Sequence, residues 1–91
     1  MEYIFNNKNY ELLEDADKSF AYEEIKEKVT DYFNDFDYIL GDIAYDKVRL
    51  KGFYEEKNPK ASKINNIKFK EDYLKNYCAY GCKWFLLKKI R

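Results

Sequence analysis

The sequence contains no histidine, one proline and only three glycines among 91 residues. Without histidine, the chain cannot build a Ser-His or Cys-His nucleophile or an imidazole acid–base. The glycines, at positions 41, 52 and 81, are too far apart to form a glycine-rich phosphate loop. Asp42 is the one acid inside an apolar stretch, and we expect it to be structural because Arg49 can pair with it. The sequence therefore favours a binding module over an enzyme, without deciding the question, and predicts no cofactor.

Cysteine is also scarce: Cys78 and Cys82 are the only two. A zinc site usually takes four ligands from cysteine and histidine at close spacings. One chain cannot supply them, although two copies could form a four-cysteine site between them. A disulfide is not expected in a cytosolic protein. The sequence therefore predicts two reduced, buried thiols and no metal.

Long apolar runs are missing as well. The longest near the end, Trp84 to Leu87, is far too short to span a bilayer. Residues 1–5 lack the basic start and apolar core of a signal peptide. These absences predict a cytoplasmic protein without a membrane segment. The length predicts a single domain over residues 1–91.

Charge is balanced overall but unevenly distributed. Residues 1–46 hold four Lys and thirteen acidic residues, a net charge of −9. Residues 47–91 hold thirteen basic and four acidic residues, a net charge of +9. Such asymmetry suggests an anionic partner for the basic half. The alternative is that the two halves interleave in the fold and their charges cancel locally.

The residues between Asp37 and Tyr54 predict a central β-hairpin. Val48, Leu50, Gly52 and Tyr54 alternate with Lys47, Arg49, Lys51 and Phe53, which is typical of a strand with one solvent-exposed face. If the chain reverses at Tyr45-Asp46, three cross-strand pairs on one face are Asp42 with Arg49, Leu40 with Lys51, and Tyr38 with Phe53. On the other face the pairs are Ile43 with Val48, Gly41 with Leu50, and Ile39 with Gly52. A longer loop would change this register.

Other patterns predict the remaining elements. Residues 1–5 and 9–14 form an N-terminal hairpin. A helix over 20–34 places Tyr22, Ile25, Val29, Tyr32, Phe33 and Phe36 on one face. Residues 55–66 form an exposed, mobile loop, and a second helix spans 69–79 and ends at Gly81. Residues 82–90 form a strand with apolar side chains on both faces, which predicts a position inside the sheet.

These elements give an α+β domain in ββαββαβ order, with a mostly antiparallel sheet and two helices packed on one of its faces. The predicted core includes six side chains whose periodicities point inward: Ile25, Val29, Phe33, Leu50, Leu74 and Trp84.

Three motifs resemble those of the YutD-like proteins, a family of small, largely uncharacterised proteins from low-GC Gram-positive bacteria. They are Phe36 to Asp42, Arg49 to Glu56, and Tyr77 to Cys82. The family often has Trp-Gly after the Gly-Asp pair, where this chain has Ile43-Ala44. The resemblance covers most of the chain and implies an α+β domain, but it brings no catalytic residues.

Two binding functions remain open. Lys47, Arg49, Lys51 and Phe53 form a basic stripe ending in an aromatic residue, and Lys57, Lys60 and Lys63 could contact phosphates from the following loop. Exposed aromatics on a sheet can stack on bases while nearby lysines neutralise phosphate, which favours a module for RNA or the ribosome. The alternative is a protein-interaction or regulatory adaptor. The exposure of Tyr38 and Phe53 distinguishes the two, because a helix covering them removes the stacking site.

Overall fold

The fold is built on one antiparallel sheet with short helical segments. The computed structural model describes residues 2–15, 20–44, 47–77 and 83–90. In chain order the elements are β1 (Glu2–Phe5), β2 (Lys8–Asp15), α1 (Tyr22–Ile25), a 3₁₀ turn (Asp31–Phe33), β3 (Tyr38–Ala44), β4 (Lys47–Phe53), a second 3₁₀ turn (Ile67–Phe69), α2 (Lys70–Tyr77) and β5 (Lys83–Ile90). The prediction of an α+β domain is confirmed.

The strands lie in the order β1-β2-β5-β3-β4. Every pair of neighbours is antiparallel. β5 is the last strand in the chain but lies in the middle of the sheet, as its apolar side chains on both faces predict. Phe85 and Leu87 are buried on one face and Leu86 on the other. β1 and β4 are the two edges.

The predicted register of the central hairpin is confirmed. Tyr38 pairs with Phe53 and Asp42 with Arg49, and the other four predicted pairs are also present. The alternation of apolar and basic residues in β4 fixes this register, because a shift of one residue would turn its lysines toward the core. The chain reversal at 45–46 lies outside the described residues.

The first face of the sheet carries the larger core cluster. Its buried members are Phe5, Tyr10, Ile25, Val29, Phe33, Ile39, Phe85 and Leu87. Two glycines leave room for rings on this face: a Cβ atom at Gly41 would lie 2.0 Å from the Phe85 ring, and one at Gly52 would lie 2.3 Å from the Phe36 ring. The glycines of the central hairpin are therefore sites of close aromatic packing.

The prediction of a helix over 20–34 is wrong. Only Tyr22–Ile25 is α-helical, and Asp31–Phe33 forms a 3₁₀ turn after Thr30, whose backbone is extended (φ −100°, ψ −176°). Ile25, Val29 and Phe33 are nevertheless buried. Apolar residues at steps of three or four can point inward from a chain of successive turns as well as from a helix, and β-branched Val29 and Thr30 lower the helical preference.

The second face of the sheet is covered by α2 and the 3₁₀ turn before it. Leu40, Phe53 and Leu86 form its buried cluster, and Tyr73 and Leu74 of α2 pack against them. The two helical segments therefore lie on opposite faces, and the prediction that both cover one face is wrong. Leu50, Leu74 and Trp84 are half-buried, so they are not among the most buried side chains as predicted.

α2 lies within the predicted range of 69–79. Asn66 caps the 3₁₀ turn that precedes α2, since its side-chain oxygen accepts a hydrogen bond from the Lys68 backbone N–H at 3.0 Å. Gly81, Cys78 and Cys82 lie outside the described residues, so the predictions of a glycine cap and of two buried thiols remain predictions. In the part of the chain that the structure describes, no helix is long and apolar enough to cross a membrane.

Candidate functional site

The predicted basic stripe lies on the second face of β4, but its members differ in their surroundings. Lys47 is exposed, Lys51 is half-buried and Phe53 is buried. Arg49 lies between them and donates from Nε to Asp42 Oδ1 at 2.8 Å and from Nη2 to Asp42 Oδ2 at 3.1 Å. This pairing is the structural role that the sequence predicts for Asp42.

The Phe53 ring is not available to a base. It is 1% exposed, and the Tyr73 ring of α2 meets it edge-on with centroids 5.8 Å apart. Tyr38, the other aromatic residue in question, is half-buried with Lys88 Nζ 5.8 Å from its ring centroid. The prediction that Phe53 stacks on a nucleic-acid base therefore has to be corrected. The ring is covered because α2, the helix that follows the loop, packs onto β4.

Side-chain hydrogen bonds tie the loop 55–66 to Asp35 and Asp37, and its mobility stays a prediction. Asp37 Oδ2 accepts from the Glu55 backbone N–H at 2.8 Å and from Asn58 Nδ2 at 2.9 Å. Asp35 Oδ2 accepts from Tyr54 Oη at 3.0 Å and from Lys60 Nζ at 2.6 Å. The hydrogen bonds from Lys60 and Tyr54 lower the pKa of Asp35.

The three loop lysines accordingly have different environments. Lys60 is held by Asp35, and that hydrogen bond raises the pKa of Lys60. Lys57 is exposed on the loop. Lys63 is exposed and lies beside the second face of β4, near Lys51. Only Lys63 of the three therefore joins the stripe residues at a common site.

The charge asymmetry of the sequence is partly cancelled in the fold. Among the residues that the structure describes, three ion pairs join the acidic half to the basic half: Asp42 with Arg49, Asp35 with Lys60, and Glu14 with Lys70. In the sheet, Glu11 of β2 lies opposite Lys88 of β5. These contacts favour the alternative in which the halves interleave, and they leave a smaller set of lysines for a partner.

A groove of about 660 Å³ lies between β4, the loop and α2. It is lined by Lys51, Phe53, Lys63, Ile64, Phe69, Asp72, Tyr73 and Asn76. Three of the seven predicted site residues, Lys51, Phe53 and Lys63, meet here. Sequence reasoning missed the contribution of Phe69 from the 3₁₀ turn and of Tyr73 from α2, because the two are spaced as core residues of one helix face.

Lys51 is the most buried of the charged residues that line this groove, since Lys63 and Asp72 are exposed. Its Nζ lies 5.2 Å from the centre of the Phe53 ring, a cation–π distance. Burial lowers the pKa of Lys51, because desolvation disfavours the charged ammonium. Among the described residues no carboxylate lies within ion-pair distance of it, since the ion pairs of this part of the chain involve other lysines.

Metal chemistry has no support in the described residues. They contain no group of three or more Cys, Asp or Glu side chains placed to hold an ion. The remaining features are a sheet edge, a groove and two lysines that flank it. This arrangement can bind a ligand through apolar contact and positive charge, and it resembles the pockets that proteins use for recognition.

The fold and the groove together define a small α+β domain with a candidate binding surface. A sequence model described as "Putative antitoxin YutD-like" matches residues 4–88, so the chain belongs to the YutD-like family. It is 38% identical over 88 residues to "Putative antitoxin YutD" of Bacillus subtilis (strain 168), covering 97% of each protein. The solution NMR structure of protein yutD from B. subtilis matches with a TM-score of 0.83 at 36% identity, over 100% of this chain and 83% of that one. The resemblance seen in the three motifs is confirmed.

Proposed function

We propose that this protein is a non-enzymatic binding module that docks a partner protein along β4. The observation that carries the proposal is the outer edge of that strand from Lys47 to Lys51. β4 is the last strand of the sheet, and no described strand pairs with this edge. An edge strand presents a row of backbone N–H and C=O groups that an extended segment of another protein can pair with.

The burial of Phe53 supports a protein partner over RNA. Base stacking needs an exposed ring face, and this ring is covered by Tyr73. Two basic residues of the predicted RNA site, Arg49 and Lys60, form ion pairs with carboxylates of the protein itself. The lysines that remain can still attract acidic groups on a protein surface.

The names of the relatives point in the same direction. The curated relative from Bacillus subtilis is called a putative antitoxin. An antitoxin counteracts a toxin, and direct binding is one way to do so. For this chain, a partner protein is therefore the function class that the geometry and the names jointly favour.

The test is affinity capture with the tagged full chain from cells that produce it, with and without nuclease. We expect a captured protein that survives nuclease treatment. Lys47→Glu should reduce its recovery because it reverses a charge on β4, whereas Lys28→Glu, an exposed lysine outside the sheet, should not. Loss of the partner with nuclease, or salt-sensitive binding of labelled single-stranded RNA in anisotropy measurements, would contradict the proposal.

A further inference from the structure

We infer that the groove beside β4 receives an extended acidic segment of the partner, which pairs with the outer edge of β4 and places one apolar side chain between the loop and α2. The inference rests on the proposed function and names the chemistry of what is bound. It is carried by three features of the groove: its charge, its apolar lining and its fixed wall. The charge and the lining can each be tested by a separate substitution.

The charge of the groove selects for an anion. Lys51 and Lys63 line it together with one acid, Asp72. A half-buried ammonium loses hydration and needs a compensating partner. For Lys51 the partner within the described residues is the face of the Phe53 ring, which is a weak substitute for a carboxylate. A carboxylate entering the groove would supply the missing counter-charge.

The lining of the groove selects for an apolar side chain beside that carboxylate. Ile64 is 75% exposed at the rim, although it is a large aliphatic residue in a loop of mostly polar residues. Phe69 of the second 3₁₀ turn and Tyr73 of α2 are half-buried and line the opposite wall. The volume of about 660 Å³ falls in the range of sites that bury small molecules, so it can hold an aromatic or branched side chain.

The wall formed by the loop is fixed before any partner binds. The Tyr54 backbone N–H donates to the Asn65 carbonyl at 2.6 Å, and the Ile67 N–H donates to the Tyr54 carbonyl at 2.8 Å. These bonds bring the loop alongside the end of β4 in a parallel bridge between Tyr54 and Asn66. Lys63 and Ile64 are therefore held next to the sheet edge, and little ordering is required when a segment binds.

The charge pattern also distinguishes an acidic segment from a second copy of this chain. Two β4 edges paired with each other would bring Lys47, Arg49 and Lys51 of both copies together. Like charges facing each other across strands are destabilising. The other edge, β1, is only four residues long, so it is a poor match for the seven residues of β4.

The probe for this inference is a fluorescein-labelled peptide of nine residues, in which glutamates and one central phenylalanine alternate with valines. A strand of this pattern points its acids and its ring to one face and its valines to the other. Two control peptides differ from it in one respect each. One has glutamine in place of every glutamate, and the other has the same sequence with alternate backbone nitrogens methylated. Binding to the full chain is measured by fluorescence anisotropy.

We expect Lys51→Gln, Lys63→Gln and Ile64→Ala each to weaken binding about fivefold or more, a loss that corresponds to about 1 kcal/mol. Lys57→Gln, a loop lysine outside the groove, should leave it unchanged. Both control peptides should bind at least about tenfold more weakly, because one lacks the charge and the other lacks backbone donors. Thermal unfolding by circular dichroism establishes that each variant is folded.

Equal binding by the groove variants and the wild type, or equal binding of the glutamine peptide, would overturn the inference. If the peptide fails to bind while a nuclease-resistant partner is still captured, the inference about the groove is rejected. The proposed function would then still stand. Capture of RNA in place of protein would overturn both. Concentration-dependent dimers in sedimentation experiments that block peptide binding would assign the edge to a second copy and also reject the inference.

Discussion

Arg49 holds the carboxylate of Asp42 through two hydrogen bonds across the central hairpin. The Asp42 side chain is 1% exposed and that of Arg49 is 48% exposed. The two residues are direct cross-strand partners, so the hairpin register and the ion pair support each other. Arg49 is therefore part of the framework of β4, even though the sequence places it in a basic stripe.

We predict that Arg49→Ala destabilises the fold by about 3 kcal/mol, because it leaves a buried carboxylate without its partner. The value is at the low end for a buried pair, since water reaches the exposed side of the guanidinium. The measurement is the free energy of unfolding in urea. Lys47→Ala, an exposed neighbour on the same face, is the matched control and should change it by less than about 0.5 kcal/mol.

The double variant Asp42→Asn/Arg49→Ala isolates the interaction between the two side chains. It should be more stable than Arg49→Ala, because the uncompensated charge has been removed. If Arg49→Ala and Lys47→Ala had the same free energy of unfolding, the assignment of a structural ion pair would be wrong.

A second prediction concerns Gly52. An added Cβ would lie 2.3 Å from the Phe36 ring, closer than side chains tolerate. Gly52→Ala should therefore reduce the free energy of unfolding by about 1–3 kcal/mol through overpacking. Gly52→Ala should cost less in a Phe36→Ala background than in the wild type, because Phe36→Ala removes the Cγ and Cδ atoms that the new Cβ would meet. A Gly52→Ala protein as stable as the wild type would show that the ring moves aside without cost.

The elements set by strict two-residue alternation were predictable from the sequence. Alternation in β4 indicated the strand, and a chain reversal at Tyr45-Asp46 had to be assumed to obtain the register that the structure has. Apolar residues on both sides of β5 indicated its interior position. The series of turns within residues 20–34 was not predictable, because steps of three or four residues fit a helix and a series of turns equally well. The packing of inward-facing side chains decides between these alternatives, and it depends on the completed sheet.

The candidate site was only partly predictable for a related reason. Lys51 and Lys63 were identified from charge, but the groove exists because α2 packs over Phe53. That contact joins residues far apart in the chain, and periodicity within one segment carries no information about it. The same contact buries the Phe53 ring, which the sequence predicted to stack on nucleic-acid bases.

A third prediction tests the turns between α1 and β3. Phe33 is 7% exposed and packs in the main core cluster, while the adjacent Tyr32 is 71% exposed. Phe33→Ala should cost about 3–5 kcal/mol, enough to threaten folding of a domain this small. Tyr32→Ala should cost far less, because its ring buries little surface. Similar urea midpoints for the two variants would contradict the described orientation of this segment.

A fourth prediction concerns Tyr10, whose hydroxyl is buried and has no hydrogen-bond partner among the described residues. Burying a hydroxyl without a partner costs about 1–3 kcal/mol in proteins. Tyr10→Phe removes that group and keeps the ring, so it should leave the free energy of unfolding unchanged or raise it by about 1 kcal/mol. Tyr22→Phe is the matched control. The Tyr22 hydroxyl donates to the Ile4 carbonyl at 2.8 Å, and its loss should destabilise the protein by about 0.5–1.5 kcal/mol.

The effect of Tyr10 should also depend on pH. Burial raises the pKa of Tyr10 above its ordinary value of 10.0, so the folded state holds this proton more tightly than the unfolded chain does. The resulting stabilisation is complete below pH 10 and is lost as the pH rises toward the folded pKa, because the unfolded chain then gains by ionising. Urea unfolding at about pH 8 and about pH 10.5 should therefore show a smaller loss of stability for Tyr10→Phe than for the wild type. An identical loss in both proteins would mean that the Tyr10 hydroxyl ionises in the folded state as easily as in the unfolded chain.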